Sequence, residues 1–109
     1  MSESIDLETI GAELLDTTSD KHDGGRAART VLHEPGLRAT LIALRAGHEL
    51  AEHDAPPAAT LQIVRGDVRL VVATGTTALT AGRLAAIPHE RHSLIAETDA
   101  IVLLTVRFE

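Results

Sequence analysis

The sequence predicts an all-β domain preceded by one short N-terminal helix. Its length of 109 residues is close to the common size of a single domain. Beyond residue 25, apolar residues tend to recur at every second position, which is the period of a strand with one buried face. Glycine and proline residues divide this region into many short segments. We therefore predict a helix and loop over residues 1–25 and a single β-barrel or sandwich over residues 26–109.

The first predicted element is a helix over residues 4–16. Ser4 can cap its N-terminus, and acidic residues fill the first turns, where the helix dipole favours negative charge. The polar residues 17–25 end in a glycine pair and are typical of a loop. One face of the helix carries an apolar stripe at helical spacing, made of Leu7, Ile10 and Leu14 with Leu15 beside it.

Eight strands are predicted after this loop. They span residues 28–33, 37–46, 60–65, 68–73, 76–79, 83–87, 93–96 and 100–108. The breaks between them are Pro35-Gly36, Gly47, Pro56-Pro57, Gly66-Asp67, Thr74-Gly75, Gly82 and Pro88.

The last predicted strand is apolar on both faces. Ile101 and Leu103 lie on one face, and the other face carries Ala100, Val102, Leu104, Val106 and Phe108. A strand of this kind needs a cover on both sides. We expect the second face to line the barrel. Either the N-terminal helix or a second subunit could cover the first face, and a homodimer is one prediction.

The composition excludes several functions. The net charge is −6 and the sequence has no basic run, so we expect neither nucleic acid nor a membrane as a partner. No cysteine is present, which excludes disulfides, thiolate metal sites and cysteine nucleophiles. Phe108 is the single aromatic residue, and the sequence has no Tyr or Trp. A pocket therefore cannot stack a ligand ring between two such side chains. The acidic N-terminus does not have the pattern of a signal peptide, which favours a cytoplasmic protein.

Two glycine-led motifs carry the information about function. The first runs from Gly47 to His53 and on to Gly66, and the second runs from Gly82 through Pro88 to His92. Glycines of this kind make tight turns between strands. Histidines that converge from neighbouring strands can supply neutral imidazoles to a divalent metal ion.

Over residues 37–106, the two motifs resemble those of the cupins, and most closely those of small single-domain cupins. The resemblance implies a double-stranded β-helix, a jelly-roll-like barrel that usually holds a divalent metal with three histidines and one glutamate. His53 and His92 match two of these four ligands. Ala55 stands at the place of the second histidine, and Ala59 stands at the place of the glutamate.

Two further residues are candidates for this site. Gln62 follows Ala59 in the same strand, although strict alternation turns it to the opposite face unless a β-bulge intervenes. His48 lies five residues before His53, on the other side of a turn. The candidate ligand-binding residues are thus His53, Gln62 and His92, and the candidate metal ligands are His53, His92, Gln62 and His48.

The sequence is compatible with three functions. The first is a barrel that binds a small organic molecule without a tightly held metal, because half of the ligand set is replaced by alanine. The second is a cupin enzyme of dioxygenase or isomerase type with a reduced ligand set for Mn, Fe, Ni or Zn. The third is a dimeric structural or stress-related protein. No catalytic residue is assigned, and no cofactor is firmly implied.

Overall fold

A computed structural model describes residues 4–18, 24–53 and 58–108, and the side chains of residues 51–53 lie outside this description. The protein begins with helix α1 (Leu7–Thr17), which is followed by nine strands. These are β1 (Arg26–Glu34), β2 (Leu37–Leu44), β3 (Glu49–His53), β4 (Ala58–Arg65), β5 (Asp67–Val72), β6 (Gly75–Thr80), β7 (Leu84–Ala86), β8 (His92–Ala96) and β9 (Ala100–Arg107).

The N-cap of helix α1 lies two residues later than the predicted one. Asp6 is the N-cap, and its carboxylate accepts hydrogen bonds from the backbone N–H and the hydroxyl of Thr9. The prediction of Ser4 as the cap was therefore wrong. Asp6 also precedes the apolar stripe, and its carboxylate satisfies a backbone donor that the first turn would otherwise leave unpaired. Aspartate and serine are comparable caps, so the two positions could not be separated from sequence.

The nine strands form two antiparallel sheets that face each other. One sheet has the order β1-β2-β9-β4-β7, and the other has the order β3-β8-β5-β6. Strands that are neighbours in space but distant in sequence, such as β2 and β9, give the jelly-roll connectivity of a small barrel. This confirms the predicted all-β class. Among the described residues, no helix has the length and apolar character needed to cross a membrane.

The eight predicted strands all correspond to observed ones, and the prediction missed β3. This strand contains one large apolar residue, Leu50, which lies between Glu49 and Ala51. It also lies at the edge of its sheet, where only one neighbour pairs with it. An irregular register with β8 further weakens its alternation, so its sequence does not show a period of two.

The main core lies between the two sheets. Its residues are aliphatic and project from the inward face of both sheets, as the alternation predicts: Ile42, Leu44, Leu61, Ile63, Val68, Leu70, Leu79, Ile87, Leu94, Ala96, Ala100 and Val102. Within this core, Leu44, Ile63 and Val102 have no exposed surface.

A second core lies between α1 and the outer face of the five-stranded sheet. Leu14 and Leu15 of the helix pack there with Leu41 and Ile101, and the predicted stripe residues Leu7 and Ile10 lie at its margin. The helix is thus the cover for the second apolar face of β9. The sequence had left a second subunit as the other possible cover, and over Leu41 and Ile101 the helix takes that place. The homodimer itself stays a prediction.

Candidate functional site

A small cavity lies between the sheets at the end of the barrel where β8 begins. Its volume is about 30 Å³, well below the ~150 Å³ of an engineered apolar cavity that binds benzene. Seven aliphatic side chains and one polar side chain, that of His92, line it; the aliphatic ones are Ile42, Leu50, Leu61, Leu70, Ile87, Leu94 and Leu104. An apolar cavity of this kind does not hold water well, because few groups can hydrogen-bond to it.

His92 is brought to this cavity by the alternation of β8. His92, Leu94 and Ala96 are all buried, whereas the residues between them are more exposed. His92 retains only 4% of its surface. Because a buried imidazole needs hydrogen-bond partners, its burial among aliphatic residues requires a specific local arrangement.

That arrangement is a hydrogen bond between His92 and the preceding turn. The Nδ1 atom of His92 lies 2.9 Å from the backbone oxygen of Glu90. A carbonyl oxygen can only accept, so Nδ1 must carry the proton. In the neutral ring, the lone pair then belongs to Nε2. The turn after Pro88 therefore fixes both the orientation and the tautomer of the ring.

His53 lies directly opposite His92 in the β3–β8 ladder. Leu50 is paired with Leu94 in the same ladder, so two residues of β3 lie opposite one residue of β8 between the two pairs. This is a one-residue β-bulge. The backbone thus brings the two predicted motif positions together. The side chain of His53 lies outside the described residues, as does the whole of Ala55.

The structure places Gln62 away from the cavity. Leu61 and Ile63 are buried on the inward face of β4, and Gln62 is exposed between them. The register with β9 is regular from Ala58 to Ile63, and its shift comes only after Ile63. The bulge that would have turned Gln62 inward is therefore not at this point of the strand. Ala59, at the place of the glutamate, is on the inward face and packs against the main core.

His48 lies at the other end of the barrel from His92. Its backbone oxygen accepts from the N–H of Ala96, at the far end of β8. Ala96 is four positions after His92 in β8, which corresponds to about 13 Å between their Cα atoms. The ring of His48 packs against Gly25, where a methyl group would lie 2.5 Å from it. The structure does not bring His48 together with His92.

These placements decide how well the described residues fit the metal that the resemblance implies. His92 contributes one imidazole ring, and the side chain of Ala59 has no atom that could bind a metal ion. Residues 4–18, 24–50 and 58–108 contain no group of three histidine, aspartate or glutamate side chains that could hold an ion. A site closed by four protein ligands is not formed by these residues.

A further group of side chains, outside both sequence motifs, lies where β2 begins and β9 ends. The guanidinium carbon of Arg38 lies 5.6 Å from the centre of the Phe108 ring. The ring of His33 is stacked on Phe108, at 5.6 Å between centroids and 21° between planes. Two signals could have indicated this group: Phe108 is the sole Phe in the chain, and Arg38 is in phase with the inward residue Ile42.

Comparisons with known proteins agree with this fold. No protein-family model matches the chain, and no curated protein sequence matches it. Among solved structures, a cupin superfamily protein from Desulfitobacterium hafniense has a TM-score of 0.72 at 12% identity, over 77% of this chain and 78% of that one. An RmlC-like cupin from Shewanella frigidimarina has a TM-score of 0.71 at 23% identity, over 84% and 85% of the two chains.

A third similar structure is a known enzyme. Salicylate 1,2-dioxygenase from Pseudaminobacter salicylatoxidans has a TM-score of 0.75 at 23% identity. The match covers 91% of this chain but only 33% of the dioxygenase, so the chain corresponds to about a third of that enzyme. Together these structures show that the protein is a small barrel of the cupin fold.

Proposed function

We propose that this protein binds a small organic molecule at the end of its barrel, without a tightly held metal. The observation that carries the proposal is the apolar cavity next to the buried and oriented ring of His92. Ligand sites are commonly apolar, with a few placed polar groups that fix orientation. His92 is such a group, since its tautomer is set by the protein itself.

The size of the cavity limits how a ligand can bind. At about 30 Å³ it holds one small apolar group rather than a whole organic molecule. The apolar end of the ligand would therefore enter between Leu61 and Leu104, and the rest would lie at the mouth of the barrel. Burying a few methylene groups contributes roughly 0.8 kcal/mol each, which makes a weak site for a short chain.

Hexanol is a suitable probe for this proposal, because it has one apolar end and one weakly polar end. In a methyl NMR titration, we expect shifts at Ile42, Leu61 and Leu104, and none at Leu14 or Leu15 in the second core. Leu61→Phe should fill the cavity and abolish these shifts. Leu79→Phe is the matched control, because Leu79 is buried in the same core without lining the cavity.

The outcome that overturns the proposal is a titration in which the cavity methyls do not respond to hexanol. Shifts that persist in Leu61→Phe would also contradict the proposal, because hexanol would then bind outside the cavity. Thermal melts of both variants establish that each has folded before the titrations are compared.

A second candidate is a metal-dependent cupin enzyme. It is favoured by the backbone register that sets His53 opposite His92, and by the burial of the His92 ring beside the cavity. Two histidines from neighbouring strands could hold a divalent ion with open positions for water or substrate. Elemental analysis distinguishes the two candidates: one ion per chain, lost in His53→Ala, supports the enzyme, and a small fraction of that supports the first proposal.

A further inference from the structure

We propose that the ligand of this barrel carries a carboxylate, which Arg38 binds at the barrel mouth. The inference rests on the proposed function and names the chemical class of its ligand. A short aliphatic carboxylic acid fits both parts of the site, because its chain suits the apolar cavity and its anion suits the guanidinium.

The position of Arg38 follows from the register of β2 and β9. Thr40 is paired with Leu104, which lines the cavity, and Arg38 is paired with Val106. Arg38 is therefore two residues beyond the cavity wall, or about 7 Å along the strand. Alternation places it on the same face as Ile42, whereas Ala39 and Leu41 between them belong to the outer face that α1 covers in part.

The Phe108 ring restricts the guanidinium of Arg38. Phe108 continues the inward positions of β9 beyond Val106, and its N–H donates to the backbone oxygen of Gly36 at the β1–β2 turn. The guanidinium lies over this ring, and the ring of His33 stacks on it as well. A guanidinium held on an aromatic face loses less freedom when it binds a planar anion.

Arg38 differs in its charge environment from three other arginines of the barrel. Arg45, Arg65 and Arg69 each lie near a carboxylate, those of Asp99, Glu8 and Glu97, at 3.2, 3.9 and 3.0 Å. None of the ion pairs in the described part of the chain involves Arg38. The acidic neighbour Glu34 is paired with Leu37, on the alternate face of the β1–β2 hairpin.

An inward cation that forms no ion pair with a carboxylate of the described residues, close to an apolar cavity, matches an amphipathic anion. Guanidinium and carboxylate form paired hydrogen bonds in a fixed plane. The site is exposed to solvent, so the gain is limited: an exposed ion pair contributes up to about fivefold in affinity. The attraction also decreases as the salt concentration rises.

The experiment compares hexanoate with hexanol by methyl NMR titration of the full chain. Wild-type protein should bind hexanoate about fivefold more tightly than hexanol at low salt. Arg38→Gln should remove this difference and leave hexanol binding unchanged. Phe108→Leu should reduce the difference between hexanoate and hexanol affinity in part, because the guanidinium then loses its contact with the Phe108 ring.

Arg107→Gln is the matched control for net charge. Arg107 is exposed on the adjacent strand and is paired with Leu37, on the outer face of the sheet. Both substitutions remove one positive charge, but only Arg38→Gln should affect hexanoate. If both variants lose hexanoate affinity equally, the effect is one of overall charge and the inference is wrong.

The two proposals fail in different ways. Failure of both probes to shift the cavity methyls contradicts the proposed function itself. Equal binding of hexanol and hexanoate, unaffected by Arg38→Gln, leaves the proposed function standing and contradicts the carboxylate inference alone.

Discussion

Gly11 of α1 rests directly on Ile101 of β9, at the centre of the second core. A methyl group at Gly11 would lie 2.5 Å from Cγ2 of Ile101, which itself has no exposed surface. The helix can approach the sheet this closely only because residue 11 has no side chain. This contact determines how α1 covers the apolar outer face of the barrel.

Gly11→Ala is therefore expected to destabilise the protein, although alanine is the better helix former. Overpacking typically costs about 1–3 kcal/mol, and the gain in helix propensity offsets about 1 kcal/mol of it. The free energy of unfolding in urea should fall by up to about 2 kcal/mol. Gly75→Ala is the control, since no atom lies within 4 Å of the added methyl group and its backbone is unstrained. A stabilised Gly11→Ala would show that the helix does not pack as described.

Arg45 is expected to stabilise the packing of the C-terminal end of α1 against the barrel. Its Nε donates to the hydroxyl of Thr18 at 2.7 Å, and its Nη2 donates to the backbone oxygen of Leu15 at 2.9 Å. The same Leu15 oxygen accepts from the N–H and the hydroxyl of Thr18, so Arg45 joins the hydrogen bonds that end the helix. Arg45→Ala should lower the free energy of unfolding by about 1–2 kcal/mol.

The control for Arg45 is Arg69→Ala, which removes a half-exposed arginine that has a carboxylate neighbour. Arg69 lies 3.0 Å from Glu97, and exposed pairs of this kind contribute at most about 1 kcal/mol. In a double-mutant cycle, Thr18→Val should couple to Arg45→Ala and not to Arg69→Ala. Equal costs for the two arginines, without coupling to Thr18, would contradict the role of Arg45.

The cap at Asp6 predicts a dependence of stability on pH. The backbone N–H of Thr9 lowers the pKa of Asp6 below its ordinary value of 3.8, and the Thr9 hydroxyl adds to this effect. Because the folded-state pKa is the lower one, the cap contributes fully above the unfolded value and its contribution is lost as pH falls through the folded value. Asp6→Asn keeps an acceptor but removes the charge.

We expect wild type to be more stable than Asp6→Asn near neutral pH, and the difference to shrink below pH 3.8. Urea unfolding from about pH 6 to about pH 2 measures this change. Glu13→Gln, at an exposed helix position, controls for the loss of one negative charge. A difference that stays constant over the whole range would contradict the ionised cap.

Enlarging the cavity should strengthen the binding of an apolar ligand. Leu70→Ala removes a buried side chain from the cavity wall and should cost about 2–5 kcal/mol of stability. The larger space should accept more of the hexanol chain and raise its affinity. Leu79→Ala should cost a similar amount and leave hexanol affinity unchanged, because Leu79 does not line the cavity. Equal affinities in the two variants would contradict the assigned ligand position.

Much of the barrel could be predicted from its sequence, because alternation and turn residues act locally. The two faces of β9 and the stripe of α1 follow from spacing alone. The strand β3 could not be predicted, since its bulge and edge position depend on pairing with β8. The same holds for Arg38 and Phe108, whose contact needs the register of β1, β2 and β9. His92 was predicted as a site residue, but its tautomer depends on the turn at Glu90.

The central claim is that the barrel binds a small organic molecule without needing a metal. The most direct measurement is a hexanol titration of protein whose metal content is determined before and after dialysis against a chelator. We predict well under one ion per chain, and an affinity for hexanol that the chelator does not change. One ion per chain, together with loss of hexanol binding when it is removed, would contradict the claim.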